Sequence, residues 1–462
     1  MPEIISPVDG SVAYSFEHLE YEAALAAIDR AEQAQREWAR VPVADRVAAV
    51  RRMLDAYAGH ADTYAEQITR MMGKPLSQAK AEFAGGMRER VNALCDLAPA
   101  ALADHAASER AGFRRFIRRE PVGVVLDIAA WNYPLLVAIN VIAPAVLAGN
   151  AVLVKHAAQT ALVANQFETA FAEAGVPAGL VQAFLPDHET VARLLSTRRF
   201  GYVAFVGSVR GGHEVYRAVA ADNFVGVGLE LGGKDPALVL PDCDFEFAVE
   251  NVVDGAFYNA GQSCCAVERV YVHGDIYERF VEAFTAAVHG YVVGNPLEEG
   301  TTLGPLVNPA AARAVDAQVQ AALAAGARQT TDDARFSVPE LSACYRPPRV
   351  LADVDHEMDL MREETFGPAI GIMRVESEDQ AIALMNDSHY GLTASVWTRD
   401  DDRAFALAER LEAGTVFQNR ADYLDPELAW TGVKDSGTGA SLSELGFQAV
   451  TRPKSFHLRS SS

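Results

Sequence analysis

The sequence predicts an α/β protein: a doubly wound parallel sheet, then a second α/β unit, with a small β element beside them. Three observations carry this reading. Short β-branched runs alternate with helical stretches from residue 122 onward, two glycines near residue 232 separate one such series from the next, and segments at 114–119 and 456–459 fall outside both. A βαβα rhythm of this kind builds an open sheet whose ligands bind at the carboxyl ends of its strands.

The first hundred residues read as helical. Leu25, Ile28, Ala31, Ala34 and Trp38 recur at helical spacing, as do Val47, Val50, Leu54 and Tyr57. Arg114–Arg119 is basic and alternating, which suggests an exposed strand, whereas Val122-Gly-Val-Val-Leu126 is apolar enough for a strand covered on both faces. A helix over 135–147, a strand over 151–155, a helix over 161–174, and then strand 180–185, helix 190–195 and strand 202–205 complete the first series. After Glu230-Leu-Gly-Gly-Lys234 the pattern resumes with strand 237–240, helix 245–258, strand 269–272 and helix 276–291. Phe456-His-Leu-Arg459 is expected to lie as a strand beside Phe113–Arg119.

A chain of 462 residues has room for two or three compact domains. Forty basic against sixty-two acidic residues, a net charge of −22, argue against a nucleic-acid partner. Five cysteines, odd in number and mostly scattered, are not a disulfide framework, and none has zinc-like spacing, so no metal is expected. The first ten residues lack a basic region followed by an apolar run. The apolar stretch Tyr133–Ala148 is interrupted by Pro134, Asn140 and Pro144 and is too short to span a bilayer. The expectation is a cytoplasmic protein with neither a membrane nor a nucleic-acid partner.

Asn259-Ala-Gly-Gln-Ser-Cys264-Cys265 places a thiol between a helix and a strand, where it can act as an exposed nucleophile. Taken alone, a pair of buried structural cysteines is the better reading, because free cysteine is among the most buried residue types. Three other segments change the balance. Ala130-Trp-Asn-Tyr-Pro-Leu135 lies just past the carboxyl end of a predicted strand; Glu230 is a carboxylate in an apolar run; Glu363-Glu-Thr-Phe-Gly-Pro368 sets an acid and an aromatic beside a turn. An unpaired charge in such a run would be costly.

Together these blocks closely resemble the aldehyde dehydrogenase superfamily, in the right order and over about Ile5 to Arg459. Glu230-Leu-Gly-Gly-Lys-Asp-Pro236 and Gly261-Gln-Ser-Cys264 reproduce its two best-known motifs at their usual separation. Phe205-Val-Gly-Ser208, Leu303-Gly-Pro305, Asn386-Asp-Ser388 and Ser436-Gly437 add support. The resemblance implies NAD(P)-dependent oxidation of an aldehyde to a carboxylic acid. Cys264 would attack the carbonyl to give a thiohemiacetal, with the Asn132 amide and the Cys264 N–H holding the alkoxide. Hydride loss would leave a thioester, hydrolysed by a water that Glu230 activates. Attack needs a thiolate, from a group whose ordinary pKa is about 8.5.

The cofactor site is implied in the same way. Gly207 and Ser208 stand between a strand and a helix, where backbone N–H groups can meet a pyrophosphate. Lys155 would reach the adenosine ribose and Glu364 the nicotinamide ribose, while Phe366, Trp131 and Leu231 line the cleft. The family's pocket positions fall at Tyr133, Val137, Tyr258, Ser263, Cys265, Asp422 and Leu424, a mixed aromatic and aliphatic set with one acid. No arginine pair stands out to bind a substrate carboxylate, so a neutral aldehyde of medium size is expected. The resemblance also implies a Rossmann-like NAD(P)-binding domain (1–112 and 121–232), a catalytic domain (233–432) and oligomerisation strands (113–120 and 449–462). Exposed strand edges invite partner strands, so a homodimer or dimer of dimers is expected.

The chain departs from the family's pattern in two places. Many NAD-preferring relatives carry a glutamate where this chain has Ala158, which removes a repulsion against a 2′-phosphate; NAD is expected, with NADP also accepted. The following turn, Leu185-Pro-Asp-His-Glu189, lacks the glycines common in relatives. Many relatives also pair a lysine near Val141 with a glutamate near Ser441; losing both avoids one buried unpaired charge, a cost of about 3–5 kcal/mol. Any proton path from Glu230 therefore does not run through such a pair. A CoA-acylating relative would usually lack the base glutamate, and a retired structural member would have lost Cys264, Asn132 or Glu230. All three are present.

Overall fold

The computed structural model describes residues 2–459. Its first sheet has six strands in the order Gly437–Thr438, Gly226–Glu230, Tyr202–Val206, Val124–Ala129, Ala151–His156, Val181–Ala183. All pairs are parallel except the short Gly437–Thr438 edge. Val124–Ala129 and Ala151–His156 are buried at every position, as strands covered on both faces must be. From Val124–Ala129 the chain adds strands on one side through Val181–Ala183, then returns to add Tyr202–Val206 and Gly226–Glu230 on the other. The topological switch point therefore lies between the Val124 and Tyr202 strands, with residues 130–132 and 206–208 at its mouth.

The expected helix after the first strand is a single element, Pro134–Ala148, buried along nearly its whole length. Pro134 occupies its first turn, where the missing N–H has no helical partner to lose. Pro144 sits inside the helix without ending it, so the interruptions read from the sequence do not break this segment. The helix expected over 190–195 starts earlier, at His188, because the Asp187 carboxylate accepts from the Thr190 N–H at 2.7 Å and caps it.

A second, seven-stranded sheet runs Arg328–Gln329, Arg349–Ala352, Ala369–Val375, Val267–His273, Asp235–Val239, Thr393–Trp397, Thr415–Gln418. Helices Phe245–Phe257 and Tyr277–Val288 match the expected pattern within a few residues at their ends. Two apolar clusters pack against this sheet, while a larger one surrounds the first. Past residue 432 the chain returns to the first sheet: Gly437 pairs with Glu230, and helix Ser443–Ala449 packs on helices Arg88–Ala101 and Pro134–Ala148.

The third sheet joins His105–Ala106, Phe113–Pro121 and Thr451–Arg459. The last two strands pair without a register break from Thr451 opposite Pro121 to Arg459 opposite Phe113. Phe116 and Phe456 stack across them at 4.5 Å. The C-terminal strand is thus longer than the Phe456–Arg459 segment read from the sequence. Residues 1 and 460–462, which the expected spans include, lie outside the described residues. An N-terminal hairpin, Glu3–Ile5 with Val12–Ser15, was not expected. No helix among the described residues is long and apolar enough to cross a membrane.

Candidate active site

Cys264 is held by a strained segment between helix Phe245–Phe257 and strand Val267–His273. Asn259 and Ala260 both take left-handed backbone angles, φ 53° and 57°, and Gly261 follows at 71°. A side chain at Gly261 would meet the Gly367 carbonyl at 2.4 Å, so the tight passage requires glycine. The turn is pinned by its amides. Asn259 Nδ2 donates to the Asn132 and Gln262 carbonyls, each at 3.1 Å, and Gln262 Oε1 accepts from the Val307 N–H at 2.8 Å. Asn259 thereby ties the cysteine turn directly to Asn132. Gly233 brings the other strand in close, since a Cβ there would lie 2.6 Å from the Cys264 carbonyl.

Two cavities meet at this point. One, of about 310 Å³, is lined by Tyr133, Val137, Tyr258, Ser263, Cys265, Asp422 and Leu424, the seven positions expected to form a substrate pocket. The other, of about 260 Å³, opens at the switch point and is lined by Trp131, Gly207, Ser208, Leu231, Glu364 and Phe366. Asn132, Val206, Glu230 and Cys264 line both. A larger groove of about 850 Å³ between helices Phe245–Phe257 and Tyr277–Val288 holds none of these residues. Lys155 is not in the 260 Å³ cleft; it is buried at the end of its strand, with the Asp187 carboxylate and the His188 imidazole as its titratable neighbours.

Glu230 ends its strand, and its Oε1 accepts from the Ser441 hydroxyl at 2.6 Å. Burial pushes its carboxyl above the usual range, while Ser441, the Arg90 charge and the Trp430 indole pull the other way. Arg90, buried on helix Arg88–Ala101, donates to Asn140 Oδ1 at 3.0 Å. The Val141 position is apolar and buried, and Ser441 serves the carboxylate as a donor rather than as half of an ion pair.

Asp422 collects the neighbouring donors: Ser263 Oγ at 2.7 Å, Cys265 Sγ at 3.1 Å and the Tyr133 hydroxyl at 3.5 Å. Cys265 is buried, and its thiol is pushed well above its ordinary value by its contact with Cys264 and then by burial. Beneath Tyr133, Lys74 and Glu82 form a buried ion pair at 2.5 Å, with the Lys74 ammonium 3.9 Å from the ring centroid. Glu82 Oε1 accepts from the Leu135 N–H at 2.8 Å and so seats the start of helix Pro134–Ala148.

The 260 Å³ cleft has its own frame. Ser208 caps helix Val209–Asp222, accepting from the Gly211 N–H at 3.2 Å, so the helix's positive end faces the switch point. Glu364 accepts from the Gly233 N–H at 3.1 Å; burial, then Glu268, pushes its carboxyl up to about 8. Glu268 fixes the loop by accepting from the Thr365 and Phe366 N–H groups, both at 2.8 Å, and from Lys234 at 2.8 Å. Trp131 and Phe366 meet edge to face at 5.5 Å. Charge neutralised by hydrogen-bond donors and a capped helix end suit a dinucleotide's phosphates and ribose.

Sequence reasoning named Ser441 and Asn259 only as positions, missed what they bond to, and missed Arg90, Trp430, Lys74, Glu82 and Glu268 altogether. Asn259 and Lys234 stood inside quoted motifs, but their partners lie 127 and 34 residues away. All five cysteines are free, and the described residues hold no cluster of side chains suited to a metal ion.

The profile of the aldehyde dehydrogenase family matches residues 2–456. The chain is 36% identical to 3,6-anhydro-alpha-L-galactose dehydrogenase of Streptomyces coelicolor, over 99% of this chain and 92% of that protein. It is also 36% identical to an NADP(+) succinate-semialdehyde dehydrogenase of Deinococcus radiodurans, over 97% and 93%. The solved succinic semialdehyde dehydrogenase of Streptococcus pyogenes, in complex with NADP+, superposes with a TM-score of 0.93 at 28% identity, covering 99% of each chain.

Proposed function

The chain belongs to the aldehyde dehydrogenase family, whose members oxidise aldehydes to acids with NAD or NADP, and from that membership we propose a route centred on Cys264 and Glu230. The observation that carries it is that Cys264, Glu230 and Asn132 line both cavities at once. An aldehyde in the 310 Å³ cavity has its carbonyl carbon within reach of the Cys264 sulfur. The Asn132 amide and the Cys264 N–H receive the developing alkoxide, the kind of donor pair that stabilises charge formed in the transition state. When bound in the second cavity, the nicotinamide supplies the hydride acceptor. The thioester left on Cys264 is hydrolysed by a water whose proton Glu230 takes.

The supporting side chains have plain tasks. Gly207 and Ser208 offer the pyrophosphate an N-terminal helix end; Trp131, Leu231, Glu364 and Phe366 hold the nicotinamide half, and Lys155 the adenosine ribose. Tyr133, Val137, Tyr258, Ser263, Cys265, Asp422 and Leu424 shape the substrate side. Arg90, the one arginine lining that cavity, is committed to Asn140 and faces Glu230, while Arg420 stacks on Tyr423 at 3.4 Å. Among the described residues that line the cavity no other guanidinium is present for a substrate carboxylate, which supports a neutral aldehyde of medium size.

The domain spans stay as proposed from the sequence: cofactor domain 1–112 and 121–232, catalytic domain 233–432, oligomerisation strands 113–120 and 449–462. A homodimer or dimer of dimers is supported by the Thr451–Arg459 strand, mostly exposed and with an edge unpaired among the described residues. A monomeric mass by light scattering at micromolar protein would exclude that assembly. Five free thiols support a reducing, cytoplasmic setting.

Glu230→Gln tests the route itself. It should give a burst of reduced cofactor near one equivalent per active site, followed by slow turnover. Steady turnover at the wild-type rate would remove Glu230 from hydrolysis.

A further inference from the structure

The route above leaves one fully buried carboxyl without a task. Asp127 lies in strand Val124–Ala129, none of its surface is exposed, and neither of its oxygens has a hydrogen-bond partner among the described residues. Burying a carboxyl unpaired is costly, and such a group in a folded protein calls for a partner or a bound water.

The sheet register shows what surrounds it. Asp127 pairs with Ala204 and Ala204 with Gly228; Tyr202 pairs with Gly226, and Glu230 lies two residues beyond Gly228. Registered neighbours in a parallel sheet point to one side, and alternate residues along a strand share that side. Asp127, Tyr202, Ala204, Gly228 and Glu230 therefore occupy one face. Helix Pro134–Ala148 covers it: Val206 and Glu230 share a cavity wall with Leu136, Val137 and Asn140, and His156 Nε2 meets the Pro134 carbonyl at 2.9 Å.

The Tyr202 ring runs along the two glycines of the next strand. A Cβ at Gly226 would lie 3.0 Å from Tyr202 Cδ2, and one at Gly228 only 2.1 Å from its hydroxyl. The hydroxyl thus sits over Gly228, flanked by Asp127 across Ala204 and by Glu230 farther along the strand. Ala204 and Gly228 contribute almost no side-chain bulk to the space between these three ionisable groups.

We propose that this space is an internal hydration site whose water links the Asp127 carboxyl and the Tyr202 hydroxyl to Glu230, making Asp127 and Tyr202 positioning residues for the base. The inference rests on Glu230 being that base. A buried water makes about three hydrogen bonds; these residues offer three polar groups, of which the Asp127 carboxyl has no other partner among the described residues.

The direction of donation follows from the partners of each acid. Burial, and then Glu230, push Asp127 well above the carboxylate range, and it has no donor to favour its charged form. Glu230 has Ser441, Arg90 and Trp430. Asp127 is therefore the neutral donor and Glu230 the ionised acceptor. The other groups on this face do not compete. His156 is kept neutral, its value lowered to about 4, with Nε2 at the Pro134 carbonyl and Nδ1 at the Thr160 hydroxyl. Tyr202 is pushed up by burial and then by the Glu230 charge. The covering helix brings no ionisable side chain, only Asn140, which accepts from Arg90.

The test is the pH dependence of thioester hydrolysis in the complete enzyme. Donors to a carboxylate favour its charged form. Tyr202→Phe and Asp127→Leu should therefore each move the acid limb of hydrolysis upward by about one pH unit, and the double variant no farther than the larger single. Asp127→Asn keeps N–H donors and should keep the wild-type limb. The first-turnover burst should keep its amplitude throughout. An unmoved limb in Tyr202→Phe overturns the proposal even if Asp127→Leu fails to fold, and a downward shift in Asp127→Leu overturns it by showing that Asp127 carried a charge. If Glu230→Gln hydrolyses the thioester normally, the base reading falls and this inference with it. If Glu230→Gln is defective while Tyr202→Phe behaves as wild type, only the hydration link falls.

Discussion

The Ser441 hydroxyl donates to Glu230 Oε1 across 2.6 Å, joining the segment that enters the last helix to the end of the Gly226–Glu230 strand. The bond favours the ionised carboxylate in a place where burial favours the neutral acid. A general base must be ionised to act, so activity should fall with decreasing pH at a value above that of an ordinary glutamate. Ser441→Ala removes a hydrogen bond to a charged group, worth roughly 1.5–3 kcal/mol. The acid limb of hydrolysis should therefore move up by about one to two pH units. A limb unchanged in that variant would mean that Ser441 does not set the ionisation of Glu230.

The two adjacent thiols should separate cleanly. Cys264 is partly exposed where both cavities meet, whereas Cys265 is buried, donates to Asp422 and is held as a thiol. Cys264→Ala should abolish aldehyde oxidation while cofactor binding, followed by fluorescence titration, stays largely intact. Cys265→Ala should retain substantial activity. The reverse pattern would assign the nucleophile to the wrong residue.

Lys74 and Glu82 make a different kind of prediction, about stability. Their charged ends are almost fully excluded from solvent, and each is the other's counter-ion. Lys74→Met leaves the Glu82 carboxylate buried and unpaired beneath the start of helix Pro134–Ala148, which should cost about 3–5 kcal/mol. Glu82→Gln should cost a similar amount by stranding the ammonium. The double variant Lys74→Met/Glu82→Gln should recover most of the loss, because no isolated charge remains and the amide oxygen can still accept from Leu135. Thermal unfolding checks this; a double variant as unstable as the sum of the singles would deny the pairing.

The parts readable from sequence were those set by local patterns. The apolar runs read at 122–126 and 151–155 fall in strands Val124–Ala129 and Ala151–His156, which are buried at every position, and the stretch Glu230–Lys234 joins the two sheets as its glycines suggested. The helix read over 135–147 is also there, running through Pro144 from Pro134 to Ala148, because its apolar length outweighs the one lost N–H. Cys264, Glu230 and Asn132 could be picked out through their motifs, and the structure draws them together at one junction. What surrounds them could not, because it depends on long-range contact. Ser441 is 211 residues from Glu230, and Glu82 is 53 from the helix it caps. Asp127 lies just past the run read as a strand, and only the register, Asp127 against Ala204 and Ala204 against Gly228, gives it neighbours.

Cofactor choice turns on the end of strand Ala151–His156. Ala158 is exposed at the start of the turn Ala158–Thr160, three residues past Lys155, and offers a ribose neither a charge nor a hydrogen bond. A glutamate there would accept from both hydroxyls of NAD and repel the 2′-phosphate of NADP. Without it, the buried Lys155 ammonium can face that phosphate, and His188, quoted from the sequence only as part of the following turn, is near enough for the two to influence each other. Both cofactors should therefore support turnover. Ala158→Glu should raise the NAD-to-NADP ratio of kcat/KM, chiefly by weakening NADP, by roughly ten- to a hundredfold for an interaction of about 1.5–3 kcal/mol. Initial rates with the two cofactors, in wild type and variant, decide it. Wild-type discrimination against NADP beyond about a thousandfold, ~4 kcal/mol, would show that another residue enforces the choice and that Ala158 does not open the site.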